Sequence, residues 1–541
     1  MGEGAGTVLP VPTPVAALAD PEVRPLSAGA EQVAASPAAE TPVVDTGTVD
    51  AEMGEAARVE PAPVADRTVA GRDRPVLAAV DEPTSLAGQV RELVRSARAA
   101  YCGSPTERRL DELAHRLDEP LRIAVLATVD DGRRMLVEAL IGTPDVPRPD
   151  DGGRVQVRYA FGDDQTNSRP DPGSDDVVVA LAAPALRAMT IIDVPVPDSS
   201  DPAPLGPPGD APMADAVVLL LHYGRPADLA LLDLLDAAGH RGAIAVLAVA
   251  DEAGAVAERA VREFGDDPAV RRVCHAVVPV APATAVAAAR LGDDEHRWLR
   301  QWVASTPPPV EGGPDRAGRV AHVLAAAGTR PATLATASTT EAEPEVAAAL
   351  LERLGPLGAR RAVRLVRGGE GETHAELAGA LVRYSGLGEL QELIGSRFLS
   401  RSDALRSRSV LAGLAALLQA APPPTDDGHR LQYQLERIRA GAHELRELEL
   451  LDVLRSGDLH LPDEQRYAAE RLLGADGDDS RARLGLDVDA TSGQVRAAAA
   501  AEAARWRQIA AHPVVTARVR DAAQVDVWTC ERLEAEVADA R

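Results

Sequence analysis

The sequence predicts an α/β domain with a mostly parallel sheet, followed by a long all-helical region and preceded by an acidic tail. Three observations carry that prediction. Between Leu121 and about Ala281, short runs of Val, Ile, Leu and Ala alternate with amphipathic helical patterns. From about residue 293 the strand-like runs stop while helical periodicity continues. The first 84 residues show neither period.

Taken in order, residues 1–84 are rich in Ala, Pro, Val and Glu and carry 14 acidic residues against five arginines. Such a segment buries too little apolar surface to offset its ordering entropy, so a disordered acidic tail is expected. Residues 85–119 read as two helices, with Leu86, Val90, Leu93 and Val94 on one face and Leu110, Leu113 and Leu117 on another. The strand-like runs that follow are "RIAVLA", "VQVRYAF", "MTIIDV", "DAVVLLLHY", "AIAVLAV" and "CHAVVPV", with "LALLDLLDAAG" and "AVAERAVREFG" as the best helices between them. Near-continuous apolar strands separated by helices imply a sheet covered on both faces. Farther on, the Pro-rich breaks "STPPPVEGGP" and "APPPTDDGH" divide long helical segments. Leu431, Leu435, Ile438, Ala442, Leu445 and Leu448 form the stripe of a single helix packed lengthwise into core.

Composition bounds the function. At 541 residues the chain is long enough for two or three domains. All 57 basic residues are arginine, so no lysine is available for a phosphate loop, a Schiff base or a general base. The net charge of −26 argues against nucleic acid as a partner and against direct adhesion to an anionic lipid surface. Cys102, Cys274 and Cys530 lie far apart without metal-ligand spacing, which suits a reduced compartment, and no metal site is expected. No secretory pattern opens the chain, and apolar stretches such as "VLAGLAALLQAA" are shorter than a membrane span, so a cytoplasmic location is expected.

The stretch "VLATVDDGRRMLVEALIG", Val125 to Gly142, is the one that carries chemistry. A strand, a loop with one glycine and an amphipathic helix stand where the motif G-x-x-x-x-G-K-S/T holds phosphate. It aligns without a gap on the phosphate-loop segment of bacterial dynamin-like GTPases. Gly132 and the closing Ala-Leu-Ile-Gly are kept, while Ala127 replaces the first glycine, Arg133 the lysine, Arg134 the serine and Met135 the threonine. "LRAMTIIDVPVPDS" resembles the family's L-T-V/I-I-D-T-P-G segment, keeping Asp193 and Pro195 but with Val196 for glycine. "GAIAVLAVADEAG" resembles the guanine-reading strand end, where only Asp251 survives beside Ala248 and Val249. In the helical half "RRAVRLVRGGE", "LVRYSGLGELQELIGSRFLSRSDALRSRSVL" and "AGAHELRELELL" resemble actinobacterial dynamin-like proteins, including the isoniazid-inducible mycobacterial ones.

That resemblance, covering roughly 85–541, implies an α/β GTPase-like domain (120–292), a helical segment leading into the neck (85–119) and a long antiparallel helical stalk (293–541). It also implies self-assembly and membrane remodelling. The degenerate nucleotide site would comprise Gly132, Arg133, Arg134, Met135, Asp193 and Asp251, with no catalytic residue. A working loop converges backbone N–H groups, a helix N-terminus and one lysine on the phosphates, while a hydroxyl holds Mg²⁺. Here Arg133 brings a bulkier fork, Arg134 sets a cation at the metal position, and Asp130 and Asp131 set carboxylates where phosphate would lie. The segment "TPDVPRPDDGGRVQ" offers only Thr143, too near the helix end to act as a switch threonine. No cofactor is therefore expected, neither GTP nor Mg²⁺.

Single residues leave alternatives open. Asp193 is either a relic or a group orienting a metal-bound water, and Asp251 either reads a guanine edge or carries a favourable charge at a helix start. Cys274 and His275 are neighbours on a strand, so they face opposite ways and form no dyad. His222 and Tyr223 end a strand at the edge where α/β folds bind ligands. Three functions compete. The first is a pseudo-GTPase that assembles with an intact dynamin-like paralogue or with itself, meeting the inner face of the cell membrane through its partner, for example at a division or sporulation septum. The second is an atypical, slow GTPase, and the third a membrane-binding structural protein acting alone.

Overall fold

The computed structural model describes residues 85–143, 145–147, 156–162, 168–170, 177–196, 214–222, 225–248, 255–305, 343–423, 427–475 and 477–539. The expected tail and the break "STPPPVEGGP" (all but its first residue) lie outside them, as does most of "TPDVPRPDDGGRVQ".

Two helices, α1 (Leu86–Ala100) and α2 (Glu107–Arg116), lead into an eight-stranded sheet. Its strands are β1 (Leu121–Ala127), β2 (Val157–Phe161), β3 (Ser168–Pro170), β4 (Val177–Leu181), β5 (Met189–Pro195), β6 (Ala216–Leu221), β7 (Ala243–Ala248) and β8 (Cys274–Val280). They lie in the order β3-β4-β2-β5-β1-β6-β7-β8. The five from β5 to β8 run parallel, β2 joins β5 antiparallel, β4 runs parallel to β2, and β3 closes that side antiparallel. All six strand-like runs are strands. The sequence reading missed β3, which has three residues, and β4, although its "VVVAL" is an apolar run as long as β2.

The period-2 rule divides the sheet's side chains between two cores. Ile123, Val125 and Ala127 of β1 point to the same face as Ile191, Val218, Leu220, Ile244 and Val246, against Leu136, Val137 and Leu140 of α3 (Asp130–Ile141). Ala124 and Leu126 point the other way with Ile192, Val217, Leu219, Ala245 and Leu247. There they meet Leu231, Leu232 and Leu235 of α4 (Pro226–Ala237), Phe264 of α5 (Ala255–Gly265) and Val270 and Val273 of α6 (Pro268–Val273).

After β8 come α7 (Pro282–Ala289), α8 (Asp293–Ser305), α9 (Glu343–Gly368), α10 (His374–Tyr384) and α11 (Leu387–Leu393). A single π-helical turn, Ile394–Leu399, precedes α12 (Ser402–Ala420). The remainder is α13 (Asp427–Gly441), α14 (His443–Ser456), α15 (Asp463–Leu472), α16 (Ser480–Leu484), α17 (Ser492–Ala511) and α18 (Ala517–Asp539). The core on the α3 face continues into this region through Leu390, Phe398, Val410, Leu414, Leu431 and Leu435, and it takes in α1 and α2 as well.

The stripe from Leu431 to Leu448 is buried core, as its spacing predicts, but it belongs to two helices. Ala442 adopts φ −78°, ψ 115° as the N-cap of α14, directly after Gly441 ends α13. A glycine lowers helix propensity by about 1 kcal/mol relative to alanine, which makes this the weakest point of the pattern.

At the end of the chain α17 and α18 pack lengthwise, with Trp506 and Val525 in a core shared with α14 and α15. Asp526 of α18 is fully buried there, and neither carboxylate oxygen has a hydrogen-bond partner. Burial first, and then the charges of Glu447 and Glu502, hold its pKa well above the ordinary carboxylate value, with Arg483 acting the other way. The folded state therefore keeps a proton that the unfolded chain releases. The associated stability is complete below the ordinary carboxylate range and is lost as pH rises toward the raised folded value. Asp526→Asn is expected to raise the stability of the fold more at pH 8 than at pH 5. The gain approaches about tenfold in the folding constant per pH unit within that window, measured by urea unfolding at a series of pH values.

Candidate functional site

β1 lies between β5 and β6, with α3 following it on one face of the sheet and α4 following β6 on the other, and the C-terminal end of such strands is where open α/β sheets hold ligands. The predicted phosphate loop is here, and it is short. β1 ends at Ala127 and α3 starts at Asp130, leaving only Thr128 and Val129 between them. The Arg133 N–H donates to the Val129 carbonyl at 3.1 Å, an ordinary helical bond, so that donor is committed within the helix. Asp130 and Asp131 occupy the first turn of α3 and meet its positive end with their own charge.

Arg133 is the centre of the site. The buried positions of α3 are Arg133, Leu136, Val137, Ala139, Leu140 and Ile141, most of them at the three- and four-residue spacing of one helix face. Arg133 is 0% exposed and Asp193 is 1% exposed. The Arg133 Nε donates to Asp193 Oδ1 at 2.5 Å, and its Nη1 donates to Asp130 Oδ1 at 2.5 Å. Asp193 meets this face because it lies opposite Val125 in the β1–β5 register and shares that residue's orientation. Its carboxylate therefore holds a guanidinium.

The other predicted site residues divide. Gly132 joins the cluster, and an added Cβ there would lie 2.9 Å from Leu220 Cδ2 and 3.9 Å from His222 Nε2, so its bareness lets α3 sit against β6. Arg134 and Met135 do not join it: both are exposed, Met135 at 37%. A step of about 100° per residue carries Arg134 off the buried face that Arg133 occupies. Asp251 and Tyr223 lie outside the described residues.

A second network, which the sequence reading missed, borders the first. The Thr128 hydroxyl donates to Asp228, and the His222 backbone N–H donates to Asp228 Oδ2 at 2.5 Å, with His222 Nδ1 at 3.3 Å from the same oxygen. Burial alone would raise the Asp228 pKa, but the bonds from His222 and Thr128 outweigh it and hold the carboxyl below its ordinary value. Thr128 meets the carboxylate and not the imidazole, and a carboxyl held below its ordinary pKa is a weak base for activating a hydroxyl. The available signal was Asp228 itself, two residues after Pro226 at a helix start, where an acid bonds free N–H groups. Among the described residues no group of three His, Cys, Asp or Glu side chains is placed to hold a metal ion.

No family model matches the chain. The Isoniazid-induced protein IniC of Mycobacterium tuberculosis, from strain H37Rv and from strain CDC 1551, is 30% identical over 513 residues. That alignment covers 84% of this chain and 100% of the relative. The chain belongs to the bacterial dynamin-like family. Two solved chains of an oligomerised bacterial dynamin pair also match, at 11% and 10% identity. They cover 84% and 86% of this chain and 79% and 93% of their own, with TM-scores of 0.24 and 0.26, values at which the likeness carries no argument.

In this dynamin-like protein the segment aligned with the family's phosphate loop is a two-residue turn and the first turn of a helix. A buried ion pair bridges α3 and β5 across it. Removing one partner leaves an uncompensated buried charge. Asp193→Ala or Arg133→Ala is therefore expected to destabilise the fold by about 3–5 kcal/mol, whereas Arg133→Met with Asp193→Leu is expected to be far milder, as urea unfolding of the three variants would show.

Proposed function

We propose that this dynamin-like protein is a pseudo-GTPase: it keeps the GTPase-like architecture, does not bind Mg²⁺ and GTP usefully, and works as an assembly partner. The observation that carries this reading is the Arg133–Asp193 pair. The arginine in the lysine's place is spent on the carboxylate that would orient a metal-bound water, and the helix N-terminus faces its own two aspartates. The residues present do not fit the nucleotide, because a triphosphate would have to displace Asp193 from Arg133 and then face Asp130 and Asp131. The partner is an intact dynamin-like paralogue or a second copy of this chain. Membrane contact at the inner face of the cell membrane, for example at a division or sporulation septum, then comes through the partner. The net charge of −26 favours that indirect route, and among the described residues no helix is long and apolar enough to cross a bilayer.

One observation favours the alternative, a slow atypical GTPase: Arg133 Nη2 is buried without a hydrogen-bond partner, leaving one donor uncommitted. Binding of a fluorescent non-hydrolysable GTP analogue with Mg²⁺ separates the readings. The pseudo-GTPase shows no saturable binding up to hundreds of micromolar. Micromolar binding lost in Arg133→Ala, where that variant still folds, overturns it. In cells, affinity capture of the full chain is expected to retrieve a dynamin-like paralogue, and retrieval of none, together with a monomer in solution, removes the assembly role.

A further inference from the structure

At the opposite edge of the sheet from the closed nucleotide-type site, a second feature is built from different residues. The starts of β6, β7 and β8 face α12, α14 and the π-helical turn across a cavity of about 30 Å³. Four arginines line it: Arg241, just before β7; Arg397, on the π-helical turn; and Arg401 and Arg408, at and within the start of α12. Arg241 is itself held by Asp236 Oδ1 at 2.5 Å, and the two carboxylates of the lining are both engaged. Asp215 accepts from Arg116 Nη2 at 2.6 Å and from the Arg122 N–H at 2.9 Å. Asp452 lies 2.9 Å from His275 Nε2 and 3.4 Å from Arg408 Nη1. In a chain of net charge −26 this is a local excess of guanidinium groups.

The backbone is shaped to admit them. Gly474 has φ +82°, and a Cβ on it would fall 1.9 Å from Arg401 Nη2, so the arginine lies across a bare backbone. Arg401 donates to the Leu473 carbonyl at 2.5 Å, and its nearest carboxylate, on Asp478, stands at 3.6 Å. The π-helical turn contributes Arg397, four residues before Arg401, to the same cavity. Such one-turn insertions recur at functional sites. Two histidines beside the cavity, the half-buried His240 and the buried His275, register the same positive field. Burial first, and then Arg408 and Arg241, hold the His240 pKa below its ordinary value. For His275 burial again leads, with Arg455 and Arg397 acting the same way and Asp452 opposing them.

We propose that this cavity binds a small oxyanion with the chemistry of a phosphate group, clamped between the sheet and the helical region by Arg397, Arg401 and Arg408. The space is the size of one or two waters, so only the oxyanion group itself fits within it. A tetrahedral oxyanion enters by swinging Arg408, whose side chain is 33% exposed. Forked guanidinium groups suit such an anion better than point charges do. The same group can arrive free or on an anionic lipid headgroup, and the test distinguishes the two.

The full chain is melted in inorganic phosphate against chloride of equal ionic strength, and separately floated with phosphatidylcholine vesicles with and without phosphatidic acid. Phosphate is expected to raise the melting temperature by a few degrees with a saturating dose response. Arg408→Gln, which loses only the long contact to Asp452, is expected to fold and to lose at least tenfold in phosphate affinity. Arg401→Gln is expected to abolish the response, and Arg505→Gln, on the surface of α17, to leave it unchanged. A response to phosphatidic acid vesicles alone, abolished by Arg408→Gln, assigns the anion to a headgroup. The proposal is overturned if neither phosphate nor phosphatidic acid acts beyond matched salt, or if Arg408→Gln responds as the parent does.

Discussion

An arginine and a carboxylate sealed between a helix and a sheet set the terms for the nucleotide-type edge of this protein. Removing two charges from water is tolerable only when each satisfies the other at close range, and Arg133 and Asp193 do so at 2.5 Å. The geometry leaves little freedom around them. The register of β5 on β1 aims Asp193 at α3, and the helical period of α3 aims Arg133 at the sheet. A two-residue connection brings the helix close enough for the pair to form, and Gly132 removes the side chain that would have held α3 away from Leu220. A longer glycine-rich loop would move the start of α3 outward and separate the charges. The short turn and the ion pair therefore require each other.

The chemistry of the two cations explains why an arginine at this position suits a carboxylate partner so well. A lysine is a compact point charge on a flexible stem, able to bend back over a phosphate. A guanidinium is a planar fork that is most stable when a carboxylate fills it, and it does not lose its charge. Once buried opposite Asp193, it is stabilised more by staying than by leaving for a hydrated anion. With no lysine in the chain, no neighbouring residue can take over the lysine's part.

Much of this could be read in the sequence. Continuous apolar strands gave the parallel core of the sheet, and the order of degenerate segments gave the family. The position of Arg133 was also legible, because counting back from Leu140 and Leu136 in steps of four and three lands on Arg133 and excludes Arg134. Its partner was not legible, since the β1–β5 register that sets Asp193 opposite Val125 is a tertiary fact with no local signature. Thr128 and Asp228 stayed hidden for the same reason, as one hundred residues separate them. The three-residue β3 and the break at Ala442 escaped because a few residues of pattern cannot outweigh a long one, whereas the apolar run of β4 was there to be read.

The two edges of the sheet bear on motion in different ways. In nucleotide switches, contacts to the terminal phosphate and its metal bias a bistable segment, and hydrolysis releases it. On the proposed reading, an edge neutralised from within has no such ligand to gain or lose, and the free energy that moves an assembly would enter elsewhere. The opposite edge is where the sheet meets the helices, through Arg116 and Asp215, His275 and Asp452, and a core that runs unbroken from Val125 to Leu435. A change in how the helical region is held, by a neighbouring molecule or by charge in the arginine-lined cavity, acts directly on the sheet there. On the proposed pseudo-GTPase reading, that junction is the place where a conformational bias supplied from outside would act on the sheet.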